Sequence, residues 1–291
     1  MSEQIVLGRR TESPSSIKTY KQCPRKYYYN YIEELPTSPS IHLVRGTIAH
    51  SVLETFYDEK VDDMTWETME PQLLMRVQHL LIKEWRSQSK ELSALKLTER
   101  ETAEAFEETL HMIINWTIQK THEIQQEKNK GTFPEVWNNF IPTREQEYSS
   151  ETCGVHGYID AIETTPQGIR IMDYKSDRVP DIEKHKLQLA IYALLYKEKH
   201  GILPKSTGIY FLRGKPEHLE VNEELVQYAL EHLKDIHSKT KSNEQTDYPK
   251  QLSKLCNYCD YNTLCFKGIT TQDYKKKHAE KYDIPLTMTG E

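Results

Sequence analysis

Between residues 44 and 58, VRGTIAHSVLETFYD, apolar side chains recur at Ile48, Val52, Leu53 and Phe56. Steps of three and four put them on one side of a helix. Two longer helical regions follow, over roughly 66–88 and 98–126, rich in Leu, Glu and Lys and ended by a Gly-Thr-Phe-Pro break at 131–134. From about Thr143 the period shortens to two. REQEYS, GVHGYIDAIET and GIRIMDYKS are three strand candidates, with turn chemistry at 165–168 between the last two. DIEKHKLQLAIYALLYKEKHG is a helix that stops at Gly201. STGIYFLRG (206–214) is a further strand, and about 221–240 a further helix. Near the start, SPSSIKTYKQCPRKYYYNYI (13–32) opens on Ser/Pro capping signals and continues as an amphipathic aromatic helix bent at Pro24, before the loop ELPTSPS. The order β-β-β-α-β predicts an α/β core, a mixed sheet flanked by helices. The helices of 60–130 read as an insertion or lobe, and residues 269–291 as a charged, weakly structured tail.

Composition narrows the class. A chain of 291 residues can bury a large core. No apolar run approaches a membrane span and MSEQIVLGRR has no secretory core, so a soluble, cytoplasmic protein without membrane contact is expected. A net charge of −6 excludes a generally basic nucleic-acid coat but not a local basic groove. Residues 1–30 carry Arg9, Arg10, Lys18, Lys21, Arg25 and Lys26 against Glu3 and Glu12. Of the five cysteines, Cys256, Cys259 and Cys265 crowd into CNYCDYNTLC, while Cys23 and Cys153 stand apart. An odd number in an intracellular chain is a poor disulfide framework, and the crowding looks like ligation.

In GIRIMDYKSD (168–177), Asp173 and Lys175 stand two apart on a strand and emerge on one face. An ion pair at a strand end explains that motif alone and contributes little stability. The sharper alternative is a carboxylate that holds a divalent cation beside an ammonium that orients water or stabilises phosphate charge. Asp160, in GYIDAIE, is carried by the preceding strand, and a hairpin turning at 165–168 would bring both carboxylates to one sheet edge, where hard cations find oxygen ligands. Gln188 and Tyr192 are four apart on one helix face, as are His50 and Glu54. Each has an ordinary structural explanation. Their joint order does not.

RGTIAHSVLE, GYIDAIE, IMDYKS and QLAIYA together resemble the RecB-type branch of the PD-(D/E)XK nucleases, with its CRISPR-associated exonucleases and exonuclease-five group. The resemblance runs over residues 13–268, weakest across 60–140. It implies one restriction-endonuclease-like domain over 1–268. His50, Asp160 and Asp173, helped by the Tyr174 carbonyl, would hold Mg²⁺ or Mn²⁺, and Lys175 would position or deprotonate the attacking water. Gln188 and Tyr192 would support the site and the nucleic-acid backbone. Glu147 and Glu163 are further acidic candidates, read as surface residues.

The resemblance also implies a [4Fe–4S] cluster closed by Cys23 with Cys256, Cys259 and Cys265, an iron–sulfur clamp joining segments 13–32 and 252–268 and holding the Cys23 helix beside the active site. A Cys₄ zinc site is the alternative. Aromatics interleaved with basic residues, Arg25, Lys26 and Tyr28 above all, suit unpaired bases and phosphates, with core packing the alternative for some of the tyrosines. Cys153 reads as a small buried side chain. The expected activity is a metal-dependent DNA exonuclease on single strands or ends, in repair, recombination or CRISPR adaptation. An endonuclease or nuclease subunit beside a helicase or integrase is the second reading, and a non-catalytic iron–sulfur DNA-binding scaffold the third. No helicase P-loop occurs, so unwinding would need a partner.

Overall fold

In the computed structural model, which describes residues 5–282, the helical rhythms become helices and the alternating stretches a sheet. The helices are α1 (Pro14–Gln22), α2 (Pro24–Tyr27), α3 (Ile41–Thr55), α4 (Met69–Ser87), α5 (Ser89–Ala94), α6 (Glu99–Gln125), α7 (Phe133–Phe140), α8 (Lys186–His200), α9 (Glu223–Lys239), α10 (Asn262–Phe266) and α11 (Thr271–Tyr282). The strands are β1 (Thr143–Ser150), β2 (Val155–Thr165), β3 (Gly168–Lys175), β4 (Ser206–Phe211) and β5 (Pro216–Glu220). By their contacts the described residues group into two compact units, residues 40–148 with 157–229, and residues 5–39 with 149–156 and 230–282. Among the described residues no helix is long and apolar enough to cross a membrane.

In the larger unit, Ile48, Val52, Leu53 and Phe56 of α3 and the turn after it are completely buried. They share one core with Leu73, Val77 and Leu81 of α4, with Met112, Ile113 and Trp116 of α6, and with Ala161, Met172 and Tyr174 of the sheet. The helical insertion is therefore continuous with the sheet's core. A capping box between Thr98 and Glu101 starts α6. The sheet order is β1-β2-β3-β4-β5. β2 and β3 form an antiparallel hairpin, β3 and β4 pair in parallel across α8, and β5 adds an antiparallel edge. Gly208 is required in β4, since a Cβ there would lie 2.4 Å from the Glu217 carbonyl oxygen.

Glu163 is not a surface residue. It is 5% exposed, its Oε1 lies 2.8 Å from Lys120 Nζ, and its Oε2 is 2.5 Å from Arg170 Nε. Lys120 also donates to Glu123 and to the Tyr210 hydroxyl. A carboxylate here is tolerable because two cations from α6 and β3 face it. Glu147 is exposed, as expected.

The smaller unit is built on tyrosine. Tyr27, Tyr28 and Tyr29 pack with Leu35, Tyr248, Tyr261, Leu264 and Tyr274. The helix of 13–32 breaks between α1 and α2 and continues as a π-helical turn over Tyr28–Ile32. Residues 271–282 correct the expected tail. They form α11, which buries Tyr274, His278 and Ala279 and donates from the Tyr274 hydroxyl to the Pro36 carbonyl. Residues 283–291 of that expected tail lie outside the described residues. Cys153 is buried, as expected.

Candidate active site

The site is assembled at the open end of the β2–β3 hairpin. Thr165 and Gly168 close the turn, with Gly168 at φ +125° and the Thr165 hydroxyl donating to its carbonyl. From there the register runs to Ala161 opposite Met172. One step further stand Asp160 and Asp173, both buried. Asp160 Oδ2 accepts the Tyr174 backbone N–H at 2.8 Å, which fixes its carboxylate across the hairpin. α3 supplies His50, whose Nδ1 is 3.4 Å from Asp160 Oδ2 and whose Nε2 bonds the Tyr174 carbonyl at 3.1 Å. That carbonyl, expected as a metal ligand, uses one of its two lone pairs in orienting the imidazole, and Nδ1 is the nitrogen turned toward the carboxylate.

Asp173 is held from the other side by α8. Its Oδ1 accepts from Gln188 Nε2 at 2.7 Å and from the Tyr192 hydroxyl at 3.5 Å, and Gln188 Nε2 also bonds that hydroxyl at 2.9 Å. Its Oδ2 lies 2.5 Å from Lys175 Nζ as an ion pair, yet accepts no well-aligned hydrogen bond. His50, Asp160, Asp173, Lys175, Gln188 and Tyr192, all expected from the sequence, therefore come together around one point.

One further residue escapes the sequence reading. Glu145, on β1, offers a carboxylate oxygen within 4.8 Å of ligand atoms of both His50 and Asp160. Its φ is +46°, so the strand is kinked where strict alternation would pair Glu145 with Glu147. The only signal in the sequence is a Glu in a strand candidate, and the neighbouring Glu147 carries the same signal while lying exposed.

Electrostatics favour a cation in this cluster. Burial, and then the neighbouring Asp173, push the Asp160 carboxyl well above the usual range against the pull of Lys175. Glu145 is pushed up by burial, Glu54 and Asp173. Burial lowers His50, which leaves a neutral imidazole able to ligate. Crowded carboxylates beside a neutral imidazole are the donor set that a hard or borderline divalent ion takes. Lys175 is raised, its burial outweighed by Asp173 and Asp160, and remains a cation.

In the smaller unit, Cys23, Cys256, Cys259 and Cys265 line one cavity of about 130 Å³. Cys23 Sγ accepts the Gln251 N–H and Cys256 Sγ the Ser253 N–H, each at 3.5 Å. Burial pushes the Cys259 and Cys265 thiols up. Tyr28 does not present a stacking face. Its ring is in the tyrosine core and its hydroxyl donates to Glu33 at 2.6 Å. Arg25 is spent on the Tyr248 and Gln245 carbonyls, at 2.7 and 3.0 Å. Lys26 is half-buried, lines the cysteine cavity and bonds Gln22.

The chain is similar to several known proteins. The chain is 22% identical over 289 residues to the Gene 69 protein of Mycobacterium phage L5, covering 87% of this chain and 95% of that protein. It is 28% identical over 116 residues to the CRISPR-associated exonuclease Cas4 of Francisella tularensis subsp. novicida, covering 40% of this chain and 58% of that one. A crystal structure of a Eubacterium rectale protein described as an exonuclease superposes with a TM-score of 0.50 at 14% identity, covering 90% and 91% of the two chains, and shares the fold. The profile of the PD-(D/E)XK nuclease superfamily spans residues 11–266, and with the hairpin carboxylates and His50 in place the chain belongs to that superfamily as a RecB-type nuclease.

Proposed function

We propose that this nuclease is a divalent-metal-dependent deoxyribonuclease acting as an exonuclease on single-stranded DNA or DNA ends. The observation that carries the reading is the convergence of buried Asp160 and Asp173 with His50 Nδ1 and Glu145 beside a charged Lys175. Mg²⁺ or Mn²⁺ held there would activate water and counter charge on the phosphoryl oxygens. Lys175, kept cationic by two carboxylates, suits holding a phosphoryl oxygen or the attacking water better than removing a proton. Gln188 and Tyr192 hold the Asp173 carboxylate in one orientation. The relative named as an exonuclease supports action from ends.

We further propose that the four-cysteine cavity holds a [4Fe–4S] cluster. In support, Cys23 from the N-terminal segment lines the same cavity as Cys256, Cys259 and Cys265, so four thiols face one space.

End-labelled linear and covalently closed circular DNA, single- and double-stranded, incubated with Mg²⁺, Mn²⁺ or EDTA, tests the activity. Progressive loss of linear strands only, abolished by EDTA and by Asp173→Ala with DNA binding retained, is the expected outcome. Cutting of circles at the same rate would make the enzyme an endonuclease, and cleavage by pure, folded Asp173→Ala would remove the assigned site.

A further inference from the structure

Beside the carboxylate cluster the larger unit contains a second concavity, lined by a different chemistry. His42 and Arg45 of α3, Ser176 and Arg178 just past β3, and Arg213 just past β4 surround a cavity of about 390 Å³. None of these side chains is a carboxylate. α3 and β3 are the elements that also carry His50 and the Asp173–Lys175 pair. Arg45 precedes His50 by five residues, ~7.5 Å along a helix axis. Ser176 directly follows Lys175.

The cations are built in. Arg45 is only 6% exposed, with Nη1 2.8 Å from Glu108 Oε2 and Nε donating to the Thr109 hydroxyl at 3.2 Å. Arg213 Nη2 is 2.8 Å from the same Glu108 oxygen, and its Nε donates to the Ser176 carbonyl at 3.2 Å. Arg178 is exposed and makes no ion pair among the described residues. One carboxylate thus pairs with two of the three guanidiniums, and Arg178 is left without a counter-charge of its own. Burial pulls Arg45 down against Glu108, and Arg213 and Arg178 are near enough to add to that pull. Donors remain on each fork for a planar or tetrahedral oxyanion.

We propose that this pocket receives the terminal phosphate monoester of a nucleic-acid strand that is cut at the Asp160–Asp173 site. The proposal rests on the nuclease reading and deepens it, because it says what feature of an end the enzyme recognises. The charge balance selects the ligand. Three guanidiniums against one carboxylate leave an excess near two, which matches a phosphomonoester of about −1.5 to −2 better than the single charge of an internal diester. A pocket that takes up such an end would favour strands that carry it over strands that do not.

The test uses one single-stranded oligonucleotide in three forms, with a 5′-phosphate, a 3′-phosphate or hydroxyls at both ends. Binding is measured by fluorescence anisotropy in EDTA, for the full chain and for Arg178→Ala, chosen because Arg178 is exposed and its loss leaves the Arg45–Glu108–Arg213 pairing intact. One phosphorylated form should bind about tenfold or more tightly than the hydroxyl form, the value of one or two charge-assisted hydrogen bonds. Arg178→Ala should bring that ratio close to one, and Arg178→Lys should restore part of it. Equal binding of all three forms by the unmodified protein would overturn the proposal. So would an Arg178→Ala variant that weakens all three forms alike, which would assign the pocket to internal diesters. Metal-dependent cleavage of the hydroxyl form is scored separately, so a protein that discriminates ends but cuts nothing fails the nuclease reading and leaves the pocket standing.

Discussion

Replacing Lys120 by methionine keeps the aliphatic stem and removes one charge from the centre of the larger unit. Lys120 is 1% exposed, and its Nζ lies 2.7 Å from Glu123 Oε2, 2.8 Å from Glu163 Oε1 and 2.7 Å from the Tyr210 hydroxyl. The substitution leaves Glu163 buried with Arg170 as its remaining cation and the network one negative charge in excess. Breaking a buried pair in this way costs about 3–5 kcal/mol, with Arg170 holding the loss toward the lower end. For a unit of this size each kcal/mol moves Tm by roughly 2–4 °C, so thermal denaturation followed by circular dichroism should show a fall of roughly 6–20 °C. The double variant Lys120→Met/Glu163→Gln restores neutrality while an amide oxygen still faces Arg170, and should recover a substantial part of the loss. A single variant within about 1 °C of the parent would refute the reasoning. A double variant less stable than the single would do so as well.

The same network predicts acid sensitivity. Burial alone would raise the Glu123 carboxyl, but Lys120 and Arg170 hold it down to about 2, so its contribution is complete above the ordinary carboxylate pKa of ~4.3 and is lost as pH falls toward 2. The Tm of Glu123→Gln should therefore fall less steeply than the parent's between pH 4.5 and 2. Gln188→Ala should lower cleavage about 10–100-fold while DNA affinity, read by anisotropy, stays close to the parent's, because Gln188 orients Asp173 and need not touch DNA. Glu145→Gln should weaken Mn²⁺ binding, measured by calorimetry on the apoprotein, and unchanged affinity would return Glu145 to a structural role. Cys23→Ala should bleach the ~400 nm absorbance expected of anaerobically purified protein and Cys153→Ala should not, while a colourless parent with stoichiometric zinc would replace the cluster by zinc.

The hairpin that joins Asp160 to Asp173 is legible in the sequence because its alternation, turn and length are all local. So are Gln188 and Tyr192, whose spacing on α8 already puts them on one face. Glu145 is hidden because a positive φ overrides the period-two rule that places side chains on a strand. Glu163 reads as a surface residue because the cation that makes its burial tolerable, Lys120, comes from a helix 43 positions earlier. Tyr28 shows the ambiguity of tyrosine, whose ring suits both a core and a nucleic-acid surface. β5, PEHLE, is a short polar edge strand beginning at proline and has no hydrophobic signature. α11 escapes because its lysines mask buried positions at Tyr274, His278 and Ala279.

The smaller unit draws its chain from three separated stretches, 5–39, 149–156 and 230–282. Its earliest tyrosines can find Tyr248, Tyr261 and Tyr274 only after the whole larger unit has been synthesised. At ~5–20 residues per second, the segment around Tyr27–Tyr29 waits roughly ten to fifty seconds outside the ribosome with its aromatic rings uncovered. Over that interval Cys23 has no companion thiols, since Cys256, Cys259 and Cys265 are still to be made. A group held by those four sulfurs would therefore be loaded only once Cys265 has emerged, onto a chain whose larger unit has already had the chance to fold. A shortage of that group in the cell would accordingly appear as protein with a formed sheet and an unfinished tyrosine core, exposed to proteases at both of its late-joined segments.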